Sequence, residues 1–163
     1  MVDLFKTYIR PGLEYCTPVW SPHLISDIDT IEKVQKHFTK RLPGLWNRNY
    51  AERLQILNLE SLEVRRIKND LIFLFQIVKN LVDMDSSELF TYNTSATRGH
   101  SQKINVQRSR LNCRKYWFIN RTVPIWNSLP QIFVDARTSN AFKSLLNEYN
   151  LTPFCRGHAH MVT

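Results

Sequence analysis

Glycine is scarce in this chain. The 163 residues hold four, at positions 12, 44, 99 and 157, each standing alone. That excludes a Walker loop and a dinucleotide fingerprint, which need clustered glycines so that backbone can approach phosphate. Paired carboxylates are missing too. No Asp-Asp occurs, and Asp83 and Asp85 lie in an acidic stretch without a strand pattern, which leaves two-metal nucleotidyl transfer without ligands. There is no His-Glu-x-x-His and no serine in a nucleophile elbow. Long apolar runs are absent: the longest is LIFLF at 71–75, far below the roughly 20 residues of a membrane-spanning helix. MVDLFKTYIR carries no apolar signal region. The three cysteines, at 16, 113 and 155, are odd in number and widely spaced, which suits free thiols in a reducing intracellular compartment better than a disulfide framework. Without a secretory signal, the sequons at Asn93, Asn120 and Asn150 read as chance matches. Neither a repeat nor a low-complexity tract is present.

One cluster has metal-ligand chemistry. Cys155-x-x-His158-x-His160 sets three zinc-type ligands within six residues, with Cys113 as a candidate fourth. Its spacing fits no standard zinc finger, so neither a metal nor another cofactor is expected.

What is present is an ordinary globular composition, 43% hydrophobic and 22% charged, in a chain long enough to bury a core. The net charge of +8 is unevenly spread. Residues 97–137 hold eight Lys/Arg against one Asp/Glu, whereas residues 60–96 hold four against six. A basic excess this concentrated points to a polyanionic partner.

The pattern is helical nearly throughout. Residues 3–20 read as helix broken near Arg10-Pro11-Gly12, because Pro11 lacks a donor and disfavours helix before it. The apolar residues Tyr8, Ile9, Leu13, Tyr15, Val19 and Trp20 call for a core to bury them. A second helix, capped by Ser26 or Asp27, carries Ile28, Ile31, Val34, Phe38 and Leu42 as an apolar stripe and ends at Pro43-Gly44. Lys33, Lys36, His37 and Lys40 take its other side; spacing of three and four also suits a phosphate-tracking row. A short helix is predicted at 50–57. The longest, about 61–82, is charged in its first half and apolar nearly all round in its second, which places it centrally. Its Arg65 and Arg66 are expected to pair with acids or contact nucleic acid.

Residues 83–100 read as a loop, and KINVQRSRL at 103–111 as a short strand or extended arm. A helix over about 114–127 buries Phe118, Ile125 and Trp126 around an irregularity at Pro124. A last helix at 139–148, capped by Ser139, turns Phe142, Leu145 and Leu146 inward. Trp20, Phe38, Trp126 and Leu129 are assigned to the core. The expected fold is thus mainly α, a compact bundle-like domain over 1–150. It comprises helices over 3–82, the loop 83–100, a basic subregion 101–150 and a loose tail at 151–163.

Several segments together carry a resemblance. YIRPGLEY at 8–15, VWSP at 19–22, IEKVQKHFTKRL at 31–42, YAERLQILNLESLEVRRIKNDL at 50–71, RTVPIWNSLP at 121–130 and AFKSLL at 141–146 come in an order and spacing spanning about residues 4–147. In these landmarks the chain resembles the region that follows the catalytic palm in reverse transcriptases of non-LTR, jockey-like retrotransposons. The resemblance implies a fragment of a larger polymerase, comprising the thumb and adjoining C-terminal region. The palm's Asp-Asp motif, its Mg²⁺ and the family's endonuclease would belong to parts this chain lacks. By the same resemblance, a thumb is a helical unit that holds the primer–template duplex behind the active site.

The expected partner is therefore a nucleic-acid duplex contacted at its phosphates without sequence preference; no membrane partner is expected. Lys33, Lys36, Lys40, Arg108, Arg110, Arg114 and Lys115 are the candidate contacts. Tyr116 and Trp117 are assigned to core packing ahead of base stacking. A helical protein–protein interaction module, or a decayed element without selected function, are the alternatives. With no paired carboxylates to hold metal, the purified protein given primer–template, deoxynucleotides and Mg²⁺ should extend nothing. Metal-dependent extension above a blank preparation would overturn the fragment reading.

Overall fold

A computed structural model describes residues 1–94 and 99–157. The fold is mainly α-helical. Among the described residues the only β pairing outside helices is one antiparallel bridge between Tyr92 and Ile104. No helix among the described residues is long and apolar enough to cross a membrane. The chain divides into two compact units, Met1–Arg66 with the segment from Leu151, and Ile67–Asn150.

The first unit opens with α1 (Val2–Leu4), a π turn (Phe5–Ile9) and α2 (Arg10–Glu14), which run on without interruption. The break expected at Arg10-Pro11-Gly12 is absorbed by the π turn, in which Arg10 N–H reaches back to Phe5 O. Widening the turn just before Pro11 relieves the clash its ring makes with the preceding turn. The chain breaks later, at Cys16, whose φ of 56° is left-handed. A short α3 (Thr17–Trp20) follows. One face of this segment is used: Phe5 is fully buried and stacks on Phe38 with ring centroids 4.4 Å apart. The rest corrects the expectation of a buried segment. Tyr8, Tyr15 and Val19 are each more than three-quarters exposed, and Trp20, assigned to the core, is 40% exposed.

Helix α4 (Ile25–Lys40) starts after Leu24, without a side-chain cap from Ser26 or Asp27. Its buried face takes in only part of the apolar stripe: Ile28 and, beyond the helix end, Leu42 are buried. Ile28, Glu32, Gln35 and Thr39 face inward, whereas Val34 is 39% exposed and Phe38 half-buried. The reason is a polar network. Glu32 Oε1 accepts from the Tyr50 hydroxyl and from Leu62 N–H at 3.1 Å. Gln35 Nε2 donates to Tyr50 Oη at 3.0 Å and to Glu60 O at 2.9 Å. Burying those groups satisfies backbone at Glu60 and Leu62 that would otherwise be orphaned where a later helix starts. Burial raises the Glu32 carboxyl above its ordinary range, against the pull of Tyr50, Leu62 N–H and Arg66.

Helix α5 (Tyr50–Leu57) is capped by Asn49, which accepts from Glu52 N–H, and ends at left-handed Asn58. Tyr50, Leu54 and Leu59 form a small core with Val2 and Leu57. Helix α6 (Leu62–Val78) follows, with Ser61 Oγ accepting from Val64 N–H at 3.2 Å. Its charged half is buried, not solvated: Glu63, Arg66, Lys68 and Asp70 are each under 7% exposed. Residues 151–157 of the segment expected to be loose are anchored there. Leu151 is 2% exposed, and Glu63 accepts from Arg156 N–H at 2.7 Å and Gly157 N–H at 3.1 Å. A β-carbon on Gly157 would sit 3.0 Å from the Glu63 carboxylate. Arg65 grips Glu14 with both Nε and Nη2, the pairing with an acid that was one of its two expected roles.

The second unit is built on the apolar half of α6. Leu71, Leu74, Phe75 and Ile77 are fully buried. Around them lie α7 (Ser86–Leu89), α8 (Asn112–Lys115), α9 (Phe118–Ser128), α10 (Gln131–Val134) and α11 (Ser139–Glu148). The single helix expected over 114–127 is split in two at Tyr116–Trp117, and α9 contains Pro124. Thr138, not Ser139, caps α11 by accepting from Ala141 N–H. Phe75 stacks on Phe142 at 4.3 Å, and Phe142 also meets Trp126 at 6.1 Å and Phe133 at 5.9 Å. Trp126 is fully buried with its indole N–H on Gln102 O at 2.9 Å. Trp126→Ala would leave a large cavity and an orphaned carbonyl, so it should cost about 3–5 kcal/mol. Chemical denaturation checks this, and a variant within a few tenths of a kcal/mol of the parent would contradict the packing described.

Candidate nucleic-acid interface

The basic segment is positioned by a zipper of polar contacts in the second unit. The Asn127 side chain accepts from Ile104 N–H at 2.9 Å and donates to Ile104 O at 2.8 Å. His100 sits 3% exposed, with Nε2 2.9 Å from Trp126 O and Nδ1 3.2 Å from Gln102 N. Because Nδ1 accepts from the Gln102 N–H, the ring proton belongs on Nε2, where it donates to the Trp126 carbonyl. Ser101 N–H adds a bond to Gln131 Oε1 at 2.9 Å. On the arm's other side, Asn105 N–H donates to Thr91 O, and Asn93 N–H to Lys103 O. Residues 100–105 are therefore fixed before the chain reaches Arg108.

Arg108, Arg110, Arg114 and Lys115 are all exposed. None makes an ion pair among the described residues. Arg114 Nη2 donates to Gln107 Oε1 at 3.3 Å, and Lys115 Nζ lies 5.4 Å from the Tyr116 ring centroid. The chain holds no Asp or Glu from 89 to 134. Arg121 has a different use: it meets Asp70 through Nε at 2.8 Å and Nη2 at 3.1 Å, and its Nη1 donates to Tyr116 O. Asn120 Nδ2 donates to Arg114 O at 2.7 Å. These two side chains hold the turn between α8 and α9, so the cations stand on an ordered base.

The lysine row of α4 lies in the first unit. Lys33 and Lys36 both face Asp29, at 3.4 and 2.7 Å, and Lys36 Nζ also lies 5.5 Å from the Tyr50 ring centroid. Lys36 and Lys33 hold the Asp29 carboxyl below its usual range. Lys40 is exposed. Of three lysines, two thus share one carboxylate.

All three cysteines are free thiols. Burial, with Glu63 and Glu32 nearby, pushes the Cys155 thiol up to about 12, which keeps the free thiol protonated. His158 and His160 lie outside the described residues. Among the described residues no group of three His, Cys, Asp or Glu is placed to hold a metal. A cleft of about 270 Å³ in the first unit, lined by Met1, Leu4, Phe5, Tyr8, Ile9 and Phe38, is apolar and offers nothing to a phosphate. His100, Asn120 and Asn127 carry no spacing signal, and the sequence reading missed them.

No family model, no curated protein and no solved structure matches the chain.

The zipper depends on protonation. Burial lowers the His100 pKa from the ordinary 6.5, with Lys103 adding to the effect and the Trp126 carbonyl opposing it. A group depressed in the fold takes its proton more readily in the unfolded chain. Its contribution is therefore complete above the ordinary value and lost as pH falls through the depressed one. Between pH of about 7 and 5 the parent should lose more melting temperature than His100→Gln, which has no such proton to bind. Parallel melting curves for the two across that window would show that His100 is not held neutral.

Proposed function

We propose that this chain is a non-catalytic, thumb-like region of a non-LTR retrotransposon reverse transcriptase, and that it holds a nucleic-acid duplex by its phosphates. The segment order from YIRPGLEY to AFKSLL supports the parentage. The observation that carries the binding role is the group Arg108, Arg110, Arg114 and Lys115: four exposed cations within eight residues and no carboxylate paired with any of them. Such a group has its charge available for phosphate. Contacts of this kind position a duplex and read no bases.

A helical protein-interaction module is the second reading, favoured by the exposure of Tyr8, Tyr15, Val19 and Trp20. Salt separates the two. If each of the four cations neutralises one phosphate, together they contribute about −3.6 to the slope of log affinity against log salt. Changing all four to Gln should flatten the slope by about that amount and weaken binding to every sequence alike. Lys33, Lys36 and Lys40 give the comparison: with Asp29 holding two of them, their Gln variants should leave the slope nearly unchanged. A slope lost with the lysine row and kept without the 108–115 cations would move the interface to α4. No duplex binding at low salt would favour the protein-interaction module.

A further inference from the structure

The turn at Tyr116–Trp117 presents an aromatic ring beside the cations. Trp117 is 44% exposed, against full burial for Trp126 in the same unit. The indoles of Trp126 and Trp20 both hydrogen-bond through Nε1, to Gln102 O and Tyr15 O. That of Trp117 makes no such bond and no ring contact among the described residues. Its backbone is nevertheless fixed. Trp117 N–H donates to Arg114 O at 3.3 Å, and its carbonyl accepts from Arg121 N–H at 3.0 Å. Arg121 is itself tied to buried Asp70. Tyr116 differs: it is half-buried, with Lys115 over its ring. The expectation that both aromatics pack in the core therefore fails for Trp117.

An exposed indole on a hydrogen-bonded turn, within nine residues of four exposed cations and remote in sequence from any carboxylate, has the chemistry of a base platform. Aromatic faces accept any base, and neighbouring cations hold the strand's phosphates while the base stacks. A fully paired duplex presents its base faces only at its ends, so the indole gains most where strands separate. We propose that Trp117 stacks on an unpaired base, so that this surface takes the junction between duplex and single strand. The proposal rests on the phosphate-contact reading above and adds the partner's shape to it.

Three labelled probes test it: a blunt duplex, the same duplex with a single-stranded tail, and that tailed duplex with abasic tail residues. The two tails carry the same phosphates and differ only in bases. The parent should bind the tailed duplex about 5- to 150-fold more tightly than the abasic one, the range spanned by one base–aromatic stack. Trp117→Ala should erase that preference while keeping the salt slope; Trp117→Phe should keep part of it. Trp46→Ala is the control, since that residue is 67% exposed in the first unit and its neighbour Arg48 faces Glu52 at 3.7 Å. Equal affinity of the parent for the two tails overturns the stacking proposal without any variant. If the blunt duplex still binds with a steep salt slope, the phosphate reading survives that result. If the parent binds none of the probes, both fall.

Discussion

Helix α6 is the constraint on which both units depend, because three of its four buried charges, Glu63, Lys68 and Asp70, each hold a named segment. In the first unit Glu63 holds the backbone at 156–157 and Arg65 holds Glu14. In the second, Lys68 donates to Asn147 at 2.9 Å and Asp70 takes Arg121. Charges removed from water are tolerated only with well-made partners, and removing one partner costs about 3–5 kcal/mol. The apolar half of the helix supplies burial without direction; the polar half decides which segment goes where. Glu32 applies the same logic to the start of this helix, where its carboxylate takes the Leu62 N–H.

That division of labour also sorts the positive charge. The excess in residues 97–137 is not one undifferentiated patch, since Arg121 is consumed inside the fold. Its consumption fixes the turn from which Arg114 and Lys115 project, so one cation orders the base on which others stand free. On α4 the opposite happens: Asp29 lies on the same face as the lysines and draws two of them to itself. Equal numbers of basic residues in a sequence can therefore leave very different fields at the surface.

The helices were legible where apolar periodicity is clear. The element at 50–57 matches α5, and Phe142 and Leu146 are the buried residues of α11. The reading failed where polar groups do the packing. The apolar stripe Ile28, Ile31, Val34, Phe38 and Leu42, on and just past α4, is buried at Ile28 and Leu42 but not at Val34, while Glu32, Gln35 and Thr39 are buried beside it. Nothing local marks Glu32 and Gln35 as inward, because their partners at Tyr50, Glu60 and Leu62 lie 15 or more residues away, and Thr39 bonds back only to Gln35 O and Lys36 O of its own helix. The exposure of Arg108, Arg110, Arg114 and Lys115 agrees with their choice as surface cations. The exposure of Trp117 was not legible, since an indole's burial is a property of the tertiary fold and composition does not carry it.

Asn127 has a further consequence. The bridge with Tyr92 uses backbone on either side of Ile104, so Ile104's own N–H and C=O point the other way. The Asn127 amide meets both groups. One side chain thus plays the part of a neighbouring strand and ends the ladder after a single bridge. An unfilled row of donors and acceptors at that place would be a template for another chain. In a mainly helical protein, a single amide thus closes the open side of bridged Ile104.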